Sequence, residues 1–250
     1  MGCCDSREKK NQVFAKSEQP EVQSPRKSWT TNTNSLKLLR FEDLTEPKAI
    51  EILEYIIELE SQNKWQPALS EADLTISKLE NSKYDKSNIV TKACFYLDKI
   101  TDLKMILHYI THPASRKSWD FFINQMEVIE EDMHSIILYR KIKVLFYSAE
   151  FVEKQVVTIL NGKIYVLTYS TEHVEKPQNK DNLRAVNVMS SFVMEELENG
   201  IKISVINQTD PKSNLGSLAS SVGIYQQKAW IKKFRNQVLE HEQVSADNKN

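Results

Sequence analysis

The sequence predicts an α+β domain in which a long C-terminal helix packs across a strongly curved antiparallel sheet. Three observations support this class. Apolar residues recur at helical spacing after Pro47, a long series of β-branched and aromatic runs follows Trp119, and helical spacing returns from Leu215. Strands that follow one another through short turns pair in antiparallel fashion, and a helix with one apolar face must bury that face against another layer.

The composition of the chain limits the classes of function that it can have. The 250 residues are 40% hydrophobic and 27% charged, enough for one large domain or two small ones. A formal net charge of -1 argues against a nucleic-acid partner. The five glycines form no glycine-rich phosphate-binding loop, and no signal peptide or apolar run long enough to span a bilayer is present. Three cysteines cannot build a disulfide framework, so we expect a reduced, intracellular chain.

The chain divides into three parts by composition. Residues 1–40 carry eight Lys or Arg against four acidic residues and little apolar periodicity, which predicts a basic, disordered N-terminal tail. Residues 41–242 hold the periodic segments and are the predicted domain. Residues 243–250 are a predicted disordered C-terminal tail.

The tail begins with a lipid-anchor motif. Met1-Gly2-Cys3-Cys4-Asp5-Ser6 fits the myristoylation pattern, in which Gly2 is acylated after removal of Met1. Cys3 and Cys4 stand where palmitoylation commonly follows. One myristoyl chain gives only about 10⁴ M⁻¹ of partitioning, so a second chain makes attachment persistent. The motif predicts attachment to the cytosolic face of the plasma membrane or an endomembrane. The alternatives are a chance pair of cysteines or half of a metal site.

The first half of the domain mixes helices and strands. Pro47 opens an amphipathic helix that ends near Gln62. Thr101 or Asp102 can cap a second helix, which Pro113 closes. The remaining elements predicted here are strands over Leu74–Leu79 and Ile89–Ile100 and a helical turn over Arg116–Asp120.

The second half is predicted to be a sheet followed by a helix. Asn161-Gly162 and Asn199-Gly200 lie between β runs and predict tight hairpins, because type I′ turns need positive φ at both central positions. The predicted strands are Met126–Glu130, Ile136–Phe146, Phe151–Leu160, Lys163–Ser170, Arg184–Met194 and Ile201–Gln208. The last helix, Leu215–Val238, presents one apolar face made of Val222, Ala229, Trp230, Phe234 and Val238, which Ile224 and Ile231 do not join.

Four local motifs occur in order on this pattern: Arg116-Lys117-Ser118-Trp119-Asp120, Ala149-Glu150-Phe151-Val152, Asn182-Leu183-Arg184-Ala185 and Asp210-Pro211-Lys212-Ser213. They resemble motifs of the START domains, the lipid-binding family named after the steroidogenic acute regulatory protein, over roughly residues 45 to 240. The resemblance implies the helix-grip fold, in which a nine-stranded curved sheet grips the C-terminal helix and encloses a cavity for one lipid.

The resemblance also suggests which residues contact lipid. Ala149 replaces the family's Arg, Gln155 stands where some members place a cavity Arg, and Ser213 and Gly216 replace a Gly and a Pro. No headgroup is therefore carried over, and phospholipid, sterol and sphingolipid stay open. The expected lipid-lining residues are Tyr139, Gln155, Tyr165, Leu167, Arg184, Phe192, Leu218, Val222 and Trp230. The family-motif residues expected to act structurally are Trp119, Asp120, Glu150 and Asp210.

Catalytic and metal motifs are weak. His108 and His112 have the i, i+4 spacing of a zinc pair but lack the Glu of the H-E-x-x-H motif, and no G-x-S-x-G elbow occurs. We therefore expect no enzyme activity, no metal and no cofactor. The leading hypothesis is a membrane-tethered lipid-binding or lipid-transfer protein that binds a lipid and a membrane surface. The alternative is a signalling adaptor or lipid sensor of the same fold without transfer activity.

Overall fold

A computed structural model describes residues 38–132, 134–144, 147–178, 182–212 and 216–247, without the side chains of residues 144, 147, 216–222 and 244–247. The predicted anchor residues Gly2, Cys3 and Cys4 lie outside the described residues. The described helices are α1 (Pro47–Ser61), α2 (Leu103–Thr111), α3 (Pro113–Trp119) and α4 (Gly216–Asp247), with a 3₁₀ turn over Phe41–Asp43. The described strands are β1 (Leu39–Arg40), β2 (Gln66–Glu71), β3 (Leu74–Leu79), β4 (Val90–Asp98), β5 (Ile123–Glu131), β6 (Ser135–Val144), β7 (Tyr147–Leu160), β8 (Lys163–Ser170), β9 (Val186–Leu197) and β10 (Gly200–Asp210).

One curved sheet contains all the described strands. The order is β2-β3-β4-β10-β9-β8-β7-β6-β5, with antiparallel neighbours throughout. The short β1 adds in parallel at the end of β7, where Leu39 pairs with Thr158. The predicted fold class, a curved antiparallel sheet with a long C-terminal helix, is confirmed. No helix in the described part of the chain has the length and apolarity needed to cross a bilayer.

Each face of the sheet is covered by a different helix. The inner face packs against α4, whose Trp230, Ile231 and Phe234 share a core with strand residues such as Val157 and Val166. The outer face packs against α1, whose apolar stripe shares a second core with Leu167 and other strand residues. Alternation along each strand sends successive side chains to opposite faces. Where the two helices cover the sheet, the strands therefore carry apolar residues on both faces.

Local signals set the boundaries of α1 and the start of α2 as the sequence predicts, whereas α4 continues to Asp247, past the predicted end at Val238. Pro47 opens α1, and the Asp102 carboxylate accepts a hydrogen bond from the Met105 amide at 3.0 Å, capping α2. His112 ends α2 and caps α3, which Pro113 opens. The predicted turn at Arg116–Asp120 is the second half of α3.

The two predicted Asn-Gly hairpins differ in geometry. Asn161 and Gly162 have φ of 51° and 76°, as a type I′ turn requires. Gly200 has φ of 147°, and a Cβ there would lie 2.3 Å from the Leu97 carbonyl oxygen of β4. Glycine at this position therefore permits close approach of two backbones as well as an unusual dihedral angle.

Several local expectations differ from the structure. Strand β2, which the sequence analysis does not predict, is largely exposed and, among the described strands, pairs with β3 alone. On α4, Ile231 is fully buried and Ala229 is exposed, because the buried stripe is centred one residue away from the predicted one. Cys94 of β4 is half-buried, with its Sγ 3.3 Å from the Ser204 hydroxyl.

Candidate functional site

A group of polar side chains lies on the inner face of the sheet, the face that α4 covers. Its centre is Glu153, which is in phase on β7 with the inner-face residue Val157. The Arg140 guanidinium donates from Nη2 to Glu153 Oε1 at 2.8 Å, and Asn187 Nδ2 donates to the same oxygen at 2.8 Å. Gln155, two residues along β7, donates to Thr168 at 3.3 Å. We call Arg140, Glu153, Gln155 and Asn187 the inner polar cluster.

Three atoms of this cluster are buried without a hydrogen-bond partner among the described residues: Arg140 Nε, Gln155 Oε1 and Asn187 Oδ1. Buried polar atoms are nearly always paired, because each unpaired one costs about 1–3 kcal/mol. Three of the five such atoms among the described residues belong to this one cluster, which makes it the candidate ligand site of the inner face.

A second ion pair lies close to the inner polar cluster. Arg116 Nε donates to Asp120 Oδ2 at 2.8 Å, with side-chain exposures of 11% and 2%. Burial lowers the pKa of the Arg116 guanidinium below its usual value, and the Asp120 carboxylate opposes this shift. The charges of Arg140 and Glu153 also act on the Arg116 guanidinium. Arginine remains protonated in proteins, so both pairs are ionic.

Aromatic rings surround the Arg116 guanidinium. Its carbon lies 4.6 Å from the Trp119 ring centroid, 5.1 Å from that of Trp230 and 5.3 Å from that of Phe192. Phe234 completes the group, 4.8 Å from Trp119. These rings fill the space between the sheet and the middle of α4. We call these packed side chains the aromatic core.

The inner polar cluster lies beyond this core, toward the start of α4. Glu153 is four residues from Val157 along β7, about 13 Å at the usual rise per residue. Asn187 pairs with Thr209 near the end of β10, and α4 begins shortly after that strand. Gly216 precedes Trp230 by about 21 Å of helix. The first turns of α4 therefore extend past the aromatic core on the side where the cluster lies.

The structure separates the expected lipid-lining residues. Gln155, Phe192 and Trp230 lie on the inner side, with Gln155 in the inner polar cluster and the other two in the aromatic core. Leu218 and Val222 lie in α4, but their side chains are not described. Four expected residues lie on the other face: Tyr139, Tyr165, Leu167 and Arg184.

Three of these four residues, Tyr139, Tyr165 and Leu167, lie on β6 and β8, which carry buried apolar residues on both faces, so alternation does not identify the inner one. Arg184 lies before β9, where it forms an isolated bridge with Glu150. Tyr165 and Leu167 pack with α1 in the outer core. Burial and the Glu60 carboxylate raise the pKa of the Tyr165 hydroxyl. Of the expected structural residues, Trp119 and Asp120 lie in or beside the aromatic core, and Asp210 accepts a hydrogen bond from the Lys212 amide at 2.9 Å.

Tyr139 and Arg184 line an open outer pocket of about 510 Å³. Glu150, the remaining expected structural residue, accepts from the Tyr139 hydroxyl at 2.8 Å and from Arg184 Nη2 at 2.7 Å. Burial, followed by Glu150, raises the pKa of Tyr139 to about 12. The Glu150 carboxylate at this pocket is thus paired with both Tyr139 and Arg184.

A histidine cluster lies where α2, α3 and α4 meet. The rings of His108 and His112 stack at 4.6 Å, and Ser115 Oγ is 2.7 Å from His108 Nε2. His241 of α4 packs edge-on against Tyr109. Burial, then His112 and His241, lower the pKa of His108. Among the residues that the structure describes, no three His, Cys, Asp or Glu side chains form a metal-binding group.

The fold is similar to several solved structures. Human STARD10 matches with a TM-score of 0.68 and 16% identity over 86% of this chain and 85% of that one. Human StAR-related lipid transfer protein 5 matches with a TM-score of 0.69 and 13% identity over 78% and 96%. A StAR-related lipid transfer protein of Xanthomonas axonopodis matches with a TM-score of 0.57 and 10% identity over 70% and 99%.

The chain therefore has the START-type helix-grip fold. The resemblance drawn from the four sequence motifs is confirmed at the level of the fold. No family model and no curated protein matches the chain.

Proposed function

We propose that this protein holds one lipid between the start of α4 and the inner face of the sheet. The observation that carries the proposal is the inner polar cluster, in which Arg140, Gln155 and Asn187 each leave a buried polar atom unpaired. The structural neighbours, whose names describe lipid transfer, share this fold. An apolar cavity with a few polar anchors is the usual form of a lipid or small-molecule site.

The protein performs no chemistry on the lipid in this proposal. The polar groups of the cluster form ion pairs and amide hydrogen bonds, which orient a headgroup, and none is arranged as a nucleophile with its base. Binding followed by release at a membrane is then the whole activity.

A vesicle assay with the full-length chain tests the proposal. Donor vesicles carry a labelled natural lipid mixture, and transfer to acceptor vesicles is followed over time. Ser190→Phe places a ring on the inner face beside Thr168, and we expect it to reduce lipid extraction at least tenfold. Ser77→Phe, on the outer face of β3, is the matched control and should leave extraction unchanged. Equal effects of both variants, with both folded, would contradict an inner-face site.

The acylation motif supports a membrane-tethered form of this activity. Gly2 would carry a myristoyl chain and Cys3 and Cys4 palmitoyl chains on the cytosolic side of the plasma membrane or an endomembrane. A tail of about 40 residues has an r.m.s. reach of roughly 35 Å, so the domain stays near one membrane while it turns. Such a tether favours exchange of lipid at that membrane or across a contact site.

Fractionation of cells tests the tether. Gly2→Ala should move the protein from the membrane to the soluble fraction, whereas Cys94→Ser should not. Membrane association that survives Gly2→Ala would contradict acylation as the anchor.

A second function, as an adaptor or lipid sensor, is favoured by the aromatic core. Trp119, Phe192, Trp230 and Phe234 occupy part of the space in which a lipid could lie. Rings in that space favour recognition of a headgroup over uptake of a whole lipid. Stoichiometric lipid binding without transfer between vesicles would favour this function.

A further inference from the structure

One end of the sheet carries a small group of exposed apolar and basic side chains. Its members are Lys117, Phe121, Lys143 and Leu183. We propose that this group, which we call the docking end, binds the surface of an anionic bilayer. The docking end lies on the outside of the domain, so the proposal does not depend on the proposed internal lipid site.

Backbone hydrogen bonds place these residues on neighbouring segments of the chain. The Lys143 amide donates to the carbonyl of the residue after Phe121 at 2.9 Å. Lys143 pairs with Ser148 across β6 and β7. Two residues further along β7, the Glu150 amide donates to the Leu183 carbonyl at 2.9 Å. Because adjacent segments of a sheet lie about 4.8 Å apart, Phe121 and Leu183 stand on either side of the ends of β6 and β7, within about 15 Å of each other.

A tight turn between α3 and β5 holds the Phe121 ring outward. The ring is 52% exposed, and its centroid lies 4.3 Å from that of Phe122, which packs against the inner core. The Asp120 carboxylate accepts from the Phe122 amide at 3.3 Å, and the Asp120 carbonyl accepts from the Ile123 amide at 3.0 Å. A side chain on a fixed turn loses little conformational freedom when it binds. Phe121 is therefore suited to enter the interface of a bilayer.

The exposed charges of the docking end are cations. Within the described part of the chain, neither Lys117 nor Lys143 has an ion pair. The acidic side chains on the same segments, Asp120 and Glu150, are buried and each is paired with an arginine. A lysine near an anionic leaflet strengthens binding about fivefold. Apolar side chains beside unpaired lysines are typical of surfaces that bind the bilayer interface, which favours a bilayer as the partner.

The proposed N-terminal tether makes such a small surface sufficient. Leu39 of β1 pairs with Thr158 near the far end of β7, ten residues from Ser148 and therefore about 33 Å away. A tether with a reach of roughly 35 Å allows the docking end to contact the membrane that holds the tail. Because the tether keeps the domain at a high effective concentration near that membrane, a weak contact adds to the anchor.

Sedimentation of the full-length, non-acylated protein with vesicles tests the docking end apart from the acyl chains. The vesicles contain phosphatidylcholine with or without phosphatidylserine. We expect the wild type to bind the anionic vesicles, and Phe121→Ser and Lys143→Glu each to weaken this binding at least fivefold. The matched controls are Tyr96→Ser on β4 and Lys64→Glu before β2, which change exposed residues elsewhere and should bind like the wild type. The basic tail is the same in every variant.

High salt separates the two parts of the surface. The difference between Lys143→Glu and the wild type should disappear, because the charges are screened, whereas Phe121→Ser should stay weaker. Failure of the wild type to bind anionic vesicles would overturn the proposal. Equal binding by the docking-end variants and their controls would also overturn it and leave a protein as the occupant of this surface.

The outcomes also separate this proposal from lipid binding. Ser190→Phe, designed to block the internal site, should still dock like the wild type. A protein that holds a lipid but does not bind anionic vesicles would overturn the docking end alone. A protein that docks through Phe121 and Lys143 but holds no lipid would support the docking end and overturn the proposed function alone.

Discussion

Removal of the Asp120 carboxylate should be one of the most damaging single changes in this fold. The Arg116–Asp120 pair is 2.8 Å long and nearly inaccessible to water. Asp120→Ala leaves the Arg116 charge without its carboxylate, and breaking one partner of a buried pair typically costs about 3–5 kcal/mol. Because such a domain is stable by only about 5–15 kcal/mol, we expect the loss to be a large fraction of the total.

The aromatic rings around Arg116 place the expected loss of stability at the lower end of the range of about 3–5 kcal/mol. Trp119, Trp230 and Phe192 face the Arg116 guanidinium and can offset part of the loss, at about 0.5–2 kcal/mol for a cation–π contact. The hydrogen bond from the Phe122 amide to Asp120 is long, at 3.3 Å, and adds little. We therefore expect about 3 kcal/mol, which corresponds to a fall in melting temperature of about 6–12 °C.

Urea unfolding of the full-length chain, followed by tryptophan fluorescence, measures this change, because Trp119 and Trp230 lie beside the altered pair. Glu80→Ala, which breaks the exposed pair with Lys78, is the control and should cost no more than about 1 kcal/mol. The double variant Arg116→Met with Asp120→Leu should recover much of the loss. A cost below about 1 kcal/mol for Asp120→Ala would refute the description of a buried, mutually dependent pair.

Three further predictions concern stability. Because the pKa of His108 is lowered in the folded state, the unfolded chain takes up a proton on this side chain first as the pH falls below about 6.5. The free energy of unfolding should therefore decrease below this pH, and the decrease should be smaller in His108→Gln than in the wild type. Identical pH profiles of the two proteins would contradict this. Gly200→Ala should lower the free energy of unfolding by at least about 3 kcal/mol, through backbone strain and collision with Leu97. Gly162→Ala, which has open space around it, should lower it by about 1–2 kcal/mol. Equal denaturation midpoints of the two variants would argue against the close approach at Gly200. Ile231→Ala should lower the free energy of unfolding by about 2–5 kcal/mol. Tyr225 is exposed on the same helix, so Tyr225→Ala should lower it by about 0.5 kcal/mol or less. The reverse order of the two variants in chemical denaturation would show that the buried face of α4 is assigned incorrectly.

The sequence predicts the elements that have strong local causes. The strand over Lys163–Ser170 has the predicted bounds, because Asn161-Gly162 fixes where it begins. The second helix begins after its predicted cap, Asp102. These boundaries depend on backbone dihedral angles and on a single side-chain hydrogen bond, both of which the local residue types decide.

Strand β2 could not be found in the same way. Its residues are mostly exposed, Pro67 interrupts it, and β3 is its one partner within the described part of the sheet. An edge strand of this kind has no apolar alternation, and its position depends on the strand beside it. Pairing between strands is a tertiary property that periodicity within one segment does not contain.

The inner polar cluster was only partly predictable. The family resemblance points to Gln155 but not to Arg140, Glu153 or Asn187. A signal was present, since Arg140 follows Ile136 and Leu138 at alternate positions, where another apolar residue is expected. The partners of these residues come from three different strands, so the network that makes them informative exists only in the folded sheet.

The central claim is that one lipid binds between the start of α4 and the inner face of the sheet. Native mass spectrometry of the full-length protein, purified from a lipid-rich host without detergent, tests it most directly. We expect one added mass per chain, which extraction identifies as an intact lipid and which is diminished in Ser190→Phe but not in Ser77→Phe. A chain mass without any addition, under conditions that preserve lipid in human StAR-related lipid transfer protein 5, would contradict the claim.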